Sequence, residues 1–181
     1  SGAAAKVKTG VALDRLVELN TALLSLPEGF AVHKKLVRGR EKRAQIFAEP
    51  GERTVDWATA EDLAYASILS EGTSIRLTGE DVERGTFSHR HAVLHDPGTG
   101  ATYTPLQALP QARAAFEIHN SPLTELATIG YEFGYSVQEP SRLVIWEAQY
   151  GDFINGAQMI LDEFLLSARS KWGQRPSLVL L

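Results

Sequence analysis

The stretch that most limits what this chain can become runs from Ala115 to Lys171 and spells strand, helix, strand, helix. Ala-Phe-Glu-Ile-His-Asn at 115–120 is followed by Ser-Pro-Leu-Thr-Glu-Leu-Ala at 121–127, and Arg-Leu-Val-Ile-Trp-Glu-Ala-Gln-Tyr at 142–150 by Gly-Asp-Phe-Ile-Asn-Gly-Ala-Gln at 151–158. Two such units in succession need crossover connections, so they predict an α/β fold: a mostly parallel sheet with helices on both faces. Open sheets of this kind bind ligands beyond the carboxyl ends of their strands. Glu125, Tyr150 and Phe153 fall at that edge, which brings one carboxylate and two aromatic rings within reach of a common ligand.

The preceding segment reads as helical. Leu13, Leu16, Val17, Leu19, Leu23, Leu24 and Leu26 recur near the helical period until Pro27-Glu28-Gly29 breaks it. A second, more charged helix is predicted over Lys34 to Ala48, ended by Pro50-Gly51. Residues 1–55 thus form a helical lead-in of two hairpinned helices outside the sheet, and 56–181 the main domain, truncated at its C-terminal end. A third helix opens at Asp56-Trp57-Ala58-Thr59 and runs to Leu69, with Thr59 as expected N-cap over Asp62 and Gly72 just past the end. The first strand is expected over Ser74 to Thr78, stopped by Gly79-Glu80-Asp81. From Arg84 to Gly100 the pattern is irregular, and long ordered loops in a compact domain carry function.

Composition excludes several classes. A net charge of −4 argues against nucleic acid as partner, and the basic run Lys34 to Arg43 reads as a solvated helix face. There is no Cys, so disulfides and thiol catalysis drop out. No apolar run approaches the roughly 20 residues of a membrane span, and Ser1 to Gly10 has no secretion-signal layout. An intracellular protein without membrane contact is expected. Ser1-Gly2-Ala3-Ala4-Ala5 reads as linker, and the close on Ser177-Leu178-Val179-Leu180-Leu181 reads as a buried strand cut from a longer chain.

Among residues that carry chemistry, His89, His91 and His95 are the obvious metal candidates. His-x-His on an extended segment puts both rings on one face, but a third ligand four residues on has to be returned by a turn. Hydrogen-bonded structural histidines are the simpler reading, with a substrate-facing role for His89 or His91 kept open. Glu125 follows a strand and Asn120-Ser121-Pro122 in the first turn of an apolar helix, where the positive helix end favours a carboxylate with or without function. Glu80 and Asp81 follow the first strand in the same way, and Tyr150 and Phe153 are open to a plain core role. Neither a Gly-x-Ser-x-Gly elbow, a Gly-x-Gly-x-x-Gly run nor a P-loop is present, so the residues supply part of a site rather than a complete catalytic set.

Longer motifs take the reading further. Gly79-Glu80-Asp81-Val82-Glu83-Arg84-Gly85-Thr86-Phe87-Ser88-His89-Arg90-His91, Asn120-Ser121-Pro122-Leu123-Thr124-Glu125, Phe133-Gly134-Tyr135-Ser136 and Trp146-Glu147-Ala148-Gln149-Tyr150-Gly151-Asp152-Phe153-Ile154-Asn155-Gly156-Ala157-Gln158 resemble the thiamine-diphosphate-dependent first components of 2-oxoglutarate dehydrogenase complexes. The resemblance covers roughly Leu13 to Leu181 and implies a pyrimidine-binding domain of the transketolase type. It implies that the cofactor, thiamine diphosphate, lies between this domain and a separate diphosphate-binding domain, across a homodimer interface. The family's invariant glutamate falls on Glu125, whose carboxyl shares a proton with the aminopyrimidine ring nitrogen so that the exocyclic nitrogen can deprotonate the thiazolium carbon. Tyr150 and Phe153 match the aromatic positions packed on the pyrimidine, and Glu80 stands where the family usually has Gln on the cofactor side.

The resemblance also implies what is elsewhere. Magnesium belongs to the diphosphate-binding domain, Gly151-Asp152-Phe153 does not match its Gly-Asp-Gly motif, and a Pro-His-Gly stretch with a substrate-facing His is expected after Leu181. The segment alone is therefore expected to bind no metal and to turn over no substrate. The whole enzyme is expected to decarboxylate 2-oxoglutarate and pass the succinyl group to a lipoyl-bearing succinyltransferase component, in bacterial cytoplasm or the mitochondrial matrix. Rival readings are a 2-oxoadipate-preferring relative, a non-catalytic interaction domain of the same fold, and a zinc module built on His89, His91 and His95.

Overall fold

The computed structural model of the protein describes residues 8–49, 52 and 54–181. Its centre is a four-stranded, fully parallel sheet in the order β4-β1-β5-β6, made by β1 (Ile75–Gly79), β4 (Phe116–Asn120), β5 (Leu143–Glu147) and β6 (Leu178–Leu180). A small antiparallel pair, β2 (Leu94–His95) with β3 (Thr102–Tyr103), sits in the loop between β1 and β4. Register sets Ile75 and Leu77 of β1 beside Leu143 and Ile145 of β5 and Phe116 and Ile118 of β4. Because successive residues alternate faces, these side chains share one face, which buries against Leu19 and Leu23 of α1 (Leu13–Leu24) and Leu63, Ala66 and Leu69 of α3 (Trp57–Glu71).

The opposite face carries Val144 and Trp146 of β5 with Leu178 and Leu180 of β6, under Ile129 of α4 (Glu125–Gln138) and Ala157. Toward β4 this face is charged. Arg76 of β1 gives two hydrogen bonds to the fully buried Glu132 of α4, Nε to Oε2 at 2.8 Å and Nη2 to Oε1 at 3.0 Å. Thr78 donates to the same carboxylate at 3.0 Å, and Glu117 bridges Arg76 and Arg142. Tyr135 stacks 4.7 Å under the Arg76 guanidinium. A charge in the middle strand of a parallel sheet is tolerable because its carboxylate partner is built into the covering helix.

Several expectations shift. Helix α3 is capped by Asp56, whose Oδ1 accepts from Thr59 N at 2.8 Å, so Thr59 is the buried third residue of the helix and not its cap. Gly72 does end it, at φ 95° in the left-handed region where a side chain would be strained. The second helix, α2, covers Lys34–Arg43, and the continuation to Ala48 is a run of turns. Pro50 and Gly51 lie outside the described residues.

β1 is displaced one residue, ending at Gly79. The helix expected after β5 is broken into a 3₁₀ segment Gly151–Ala157, α5 (Gln158–Ile160), a π-turn Leu161–Leu165 and α6 (Ala168–Trp172). The closing run, expected as a buried strand, is the sheet's edge, with Val179 exposed and its neighbours half-buried.

The lead-in is tied down. α1 shares the core with α3, and Arg43 of α2 joins Asn20 at 2.9 Å to Asp62 at 2.7 Å. Asp96 gathers the backbone N–H groups of Ala31 (2.8 Å), Gly98 (2.8 Å) and Thr99 (3.0 Å). Arg40 of α2 donates from Nη2 to Leu24 O at 2.8 Å, and Lys34, Lys35, Arg38 and Lys42 are exposed, as expected of a solvated face.

Candidate functional site

Gly79, Asn120 and Glu147 stand side by side in register as the last residues of β1, β4 and β5, and each hands over to one part of the site. After β1 comes Glu80, exposed. After β4 the chain turns through Ser121-Pro122-Leu123, with Ser121 N donating to Gly79 O at 2.7 Å, and enters α4 at Thr124. Thr124 is the N-cap, its hydroxyl accepting from Ala127 N at 3.4 Å, so Glu125 is the first residue of the helix and half-buried. A carboxylate there lies in the field of the unpaired first-turn N–H groups, which favours negative charge. The helix hides Thr128, Ile129, Glu132, Phe133 and Ser136, whereas Leu126 and Tyr131 are exposed.

After β5, Tyr150 and Phe153 are 59% and 48% exposed, with ring centroids 5.6 Å apart at 77°. This corrects the core reading of both: they form an edge-to-face pair standing in the open. The 3₁₀ segment explains the arrangement, since three residues per turn place positions 150 and 153 above one another. Glu80, Glu125, Tyr150 and Phe153 therefore all emerge at the carboxyl edge of one parallel sheet.

The loop after β1 is held tightly against this edge. A Cβ on Gly79 would sit 2.5 Å from Glu147 O and 2.7 Å from Val82 Cγ1, so only glycine lets the two strand ends approach so closely. Arg90, with its side chain 1% exposed, donates from Nε to Glu61 at 2.6 Å, from Nη1 to Val82 O at 2.9 Å and from Nη2 to the Glu147 carboxylate. Gln149 donates to Asp81 at 3.0 Å and accepts from Thr86 at 3.2 Å. Sequence reading passed over Arg90, Glu147, Arg76 and Glu132. A signal existed for the strand pair, because Arg76 and Glu147 interrupt otherwise apolar strands and a buried charge demands a partner.

The histidines go elsewhere. His89 packs its ring on Gly85, where a Cβ would meet Cε1 at 2.5 Å, and lies 6.0 Å from Phe87. His91 sits at φ 46° with Nε2 2.9 Å from Ser88 O, and burial, with Arg84 and His89 nearby, lowers its pKa below the ordinary histidine value. His95 is exposed on β2. His89 and His91 line a cavity of about 290 Å³ beneath α2, together with Lys35, Arg40 and Arg43. A second, more open cavity of about 370 Å³ lies between β4 and α4, lined by Arg76, His119, Ser121, Leu123 and Tyr131. Glu125 lines neither. Among the described residues, no group of three or more His, Asp or Glu is arranged to hold a metal ion, and no helix is long and apolar enough to cross a membrane.

Comparison with known proteins agrees with this fold. Residues 53–181 match the model of the transketolase pyrimidine-binding domain. The chain is 59% identical over 167 residues to the 2-oxoglutarate dehydrogenase E1 components of Staphylococcus aureus strains N315, JH9 and Newman, covering 92% of this chain. It spans 18% of the length of those relatives.

Proposed function

Because this chain belongs to the family of transketolase pyrimidine-binding domains, we propose that it receives the aminopyrimidine ring of thiamine diphosphate in a 2-oxoglutarate dehydrogenase. The observation that carries the reading is Glu125 at the first position of α4, opening onto the same sheet edge as the exposed Tyr150–Phe153 pair. One hydrogen-bonding carboxylate and two exposed aromatic rings fit a flat, protonatable heterocycle. When bound, thiamine diphosphate supplies the nucleophilic carbon that adds to a 2-oxo acid and accepts the electron pair left by its carboxylate.

The residues of this chain prepare that chemistry. Glu125 holds a proton against the pyrimidine ring nitrogen, which makes the neighbouring amine a base. Tyr150 and Phe153 pack on the ring and exclude water from it, and Glu80 faces the ligand from the end of β1. The substrate assignment, 2-oxoglutarate, is supported by the relatives' names, and we assign to the whole enzyme the delivery of the succinyl group to a lipoyl carrier of a multienzyme complex. We assign magnesium and the diphosphate to a separate domain, and enclosure of Glu125 to that domain across a homodimer interface. Residues 1–55 act as a lead-in that buttresses the 56–181 domain through α1. The test is Glu125→Ala in the full-length enzyme: the variant should fold and lose thiamine-diphosphate-dependent release of carbon dioxide from 2-oxoglutarate. Turnover near the parent's level would refute the assignment.

A further inference from the structure

Resting on that reading of the sheet edge, we propose that Arg90 is a positioning residue for the cofactor: its guanidinium fixes the spacing between the loop carrying Glu80 and the segment carrying Tyr150 and Phe153. Arg90 lies ten residues further along the loop that carries Glu80 and contacts both segments. Nη1 reaches Val82 O, two residues after Glu80, and Nη2 reaches Glu147, three residues before Tyr150, while Nε is anchored on Glu61 of α3. The loop is wound back so that the side chain can do this, with Arg90 N and His91 N both donating to Arg84 O at 3.0 Å and Ala92 N to Glu83 O at 2.8 Å. The same two segments are joined a second time on the outer side by Gln149, to Asp81 and Thr86. Glu80 and the aromatic pair are thus framed by a buried link beneath and a polar link above.

Stability does not require an ion group here. A buried guanidinium between carboxylates is costly to desolvate, and apolar side chains of like volume hold a fold as well or better. What apolar side chains lack is direction: the planar fork sets three elements at fixed angles and distances. A displacement of the order of 1 Å in groups that grip a ligand is enough to cost roughly 100-fold in their action.

The experiment compares thermal stability with cofactor affinity in the full-length enzyme, using the double variant Arg90→Leu with Glu147→Leu, which removes the buried pair and leaves Glu61, whose side chain is 23% exposed, to be hydrated by solvent. The melting temperature should stay within a few degrees of the parent's, while the dissociation constant for thiamine diphosphate, measured by calorimetry at fixed magnesium, rises roughly 10-fold or more. Turnover should recover substantially at saturating cofactor. Unchanged affinity overturns the proposal, as does a lowered melting temperature with affinity intact. Should the double variant not fold, Arg90→Lys is judged by the same comparison, and unchanged affinity again overturns it. Failure of the functional reading looks different: the parent enzyme itself would bind no thiamine diphosphate, or Glu125→Ala would stay active.

Discussion

Glu125 and Gly79 show how single positions decide this structure. The place of Glu125 in the first turn of α4 was legible because local signals coincide: a strand and Asn120-Ser121-Pro122 before it and an apolar helix after it. Gly79 was legible only as a strand stop, since the reason for glycine is a carbonyl 68 positions away in sequence that no local pattern reveals. Gly79→Ala forces Cβ into Glu147 O and should cost roughly 1–3 kcal/mol. Equilibrium urea unfolding will register this as a lower midpoint, and a midpoint unchanged from the parent would show that the strand ends are not in contact. Glu132, fully buried, is the carboxylate on which Arg76 closes. Glu132→Leu strands that guanidinium with only Glu117 and should cost about 3 kcal/mol by the same measurement.

Among the elements, those whose signals are local came out as the sequence foretold. α1 ends where Pro27 approaches, α3 ends at Gly72, and β4 and β5 lie where the apolar runs place them. The misses have one cause, competition between a local preference and a tertiary demand. Thr59 looks like a cap, but Asp56 three residues earlier takes the role and frees Thr59 to be buried. The helix after β5 breaks because the Tyr150–Phe153 pair is stacked by a 3₁₀ turn and the chain must then rejoin the sheet at β6. Asp56→Ala removes the α3 cap and should lower stability by about 1 kcal/mol, visible as a drop of a few degrees in melting temperature; an identical melting curve would remove Asp56 from that role. The carboxyl of Asp56 is also held below the usual aspartate range by the Thr59 N–H, so its contribution is present above the unfolded value and lost as pH falls through the lowered one.

For the whole molecule, the parallel sheet followed from strand–helix alternation, while the polar network that holds its carboxyl edge together did not. Charge patterning cannot pair Arg90 with Glu61 and Glu147, which are 29 and 57 residues away. The histidine loop adds a pH signature. Burial disfavours the charged form of His91, with Arg84 and His89 acting in the same sense and Ser88 O opposing them. Its folded pKa lies below the unfolded one, so its contribution is present above the unfolded value and lost as pH falls through the lowered one. His91→Asn, which tolerates the left-handed backbone at φ 46°, should flatten the fall in melting temperature between pH 7 and 5.

The account stands or falls on Glu125 as the group that makes the cofactor basic enough to deprotonate itself. The direct measurement is the exchange rate of the thiazolium C2 proton of bound thiamine diphosphate with deuterium, followed by rapid quench and proton NMR in the full-length enzyme and in Glu125→Gln. The account predicts exchange slowed by roughly 100-fold or more in the variant with cofactor still bound. Equal exchange rates in the two enzymes would contradict it.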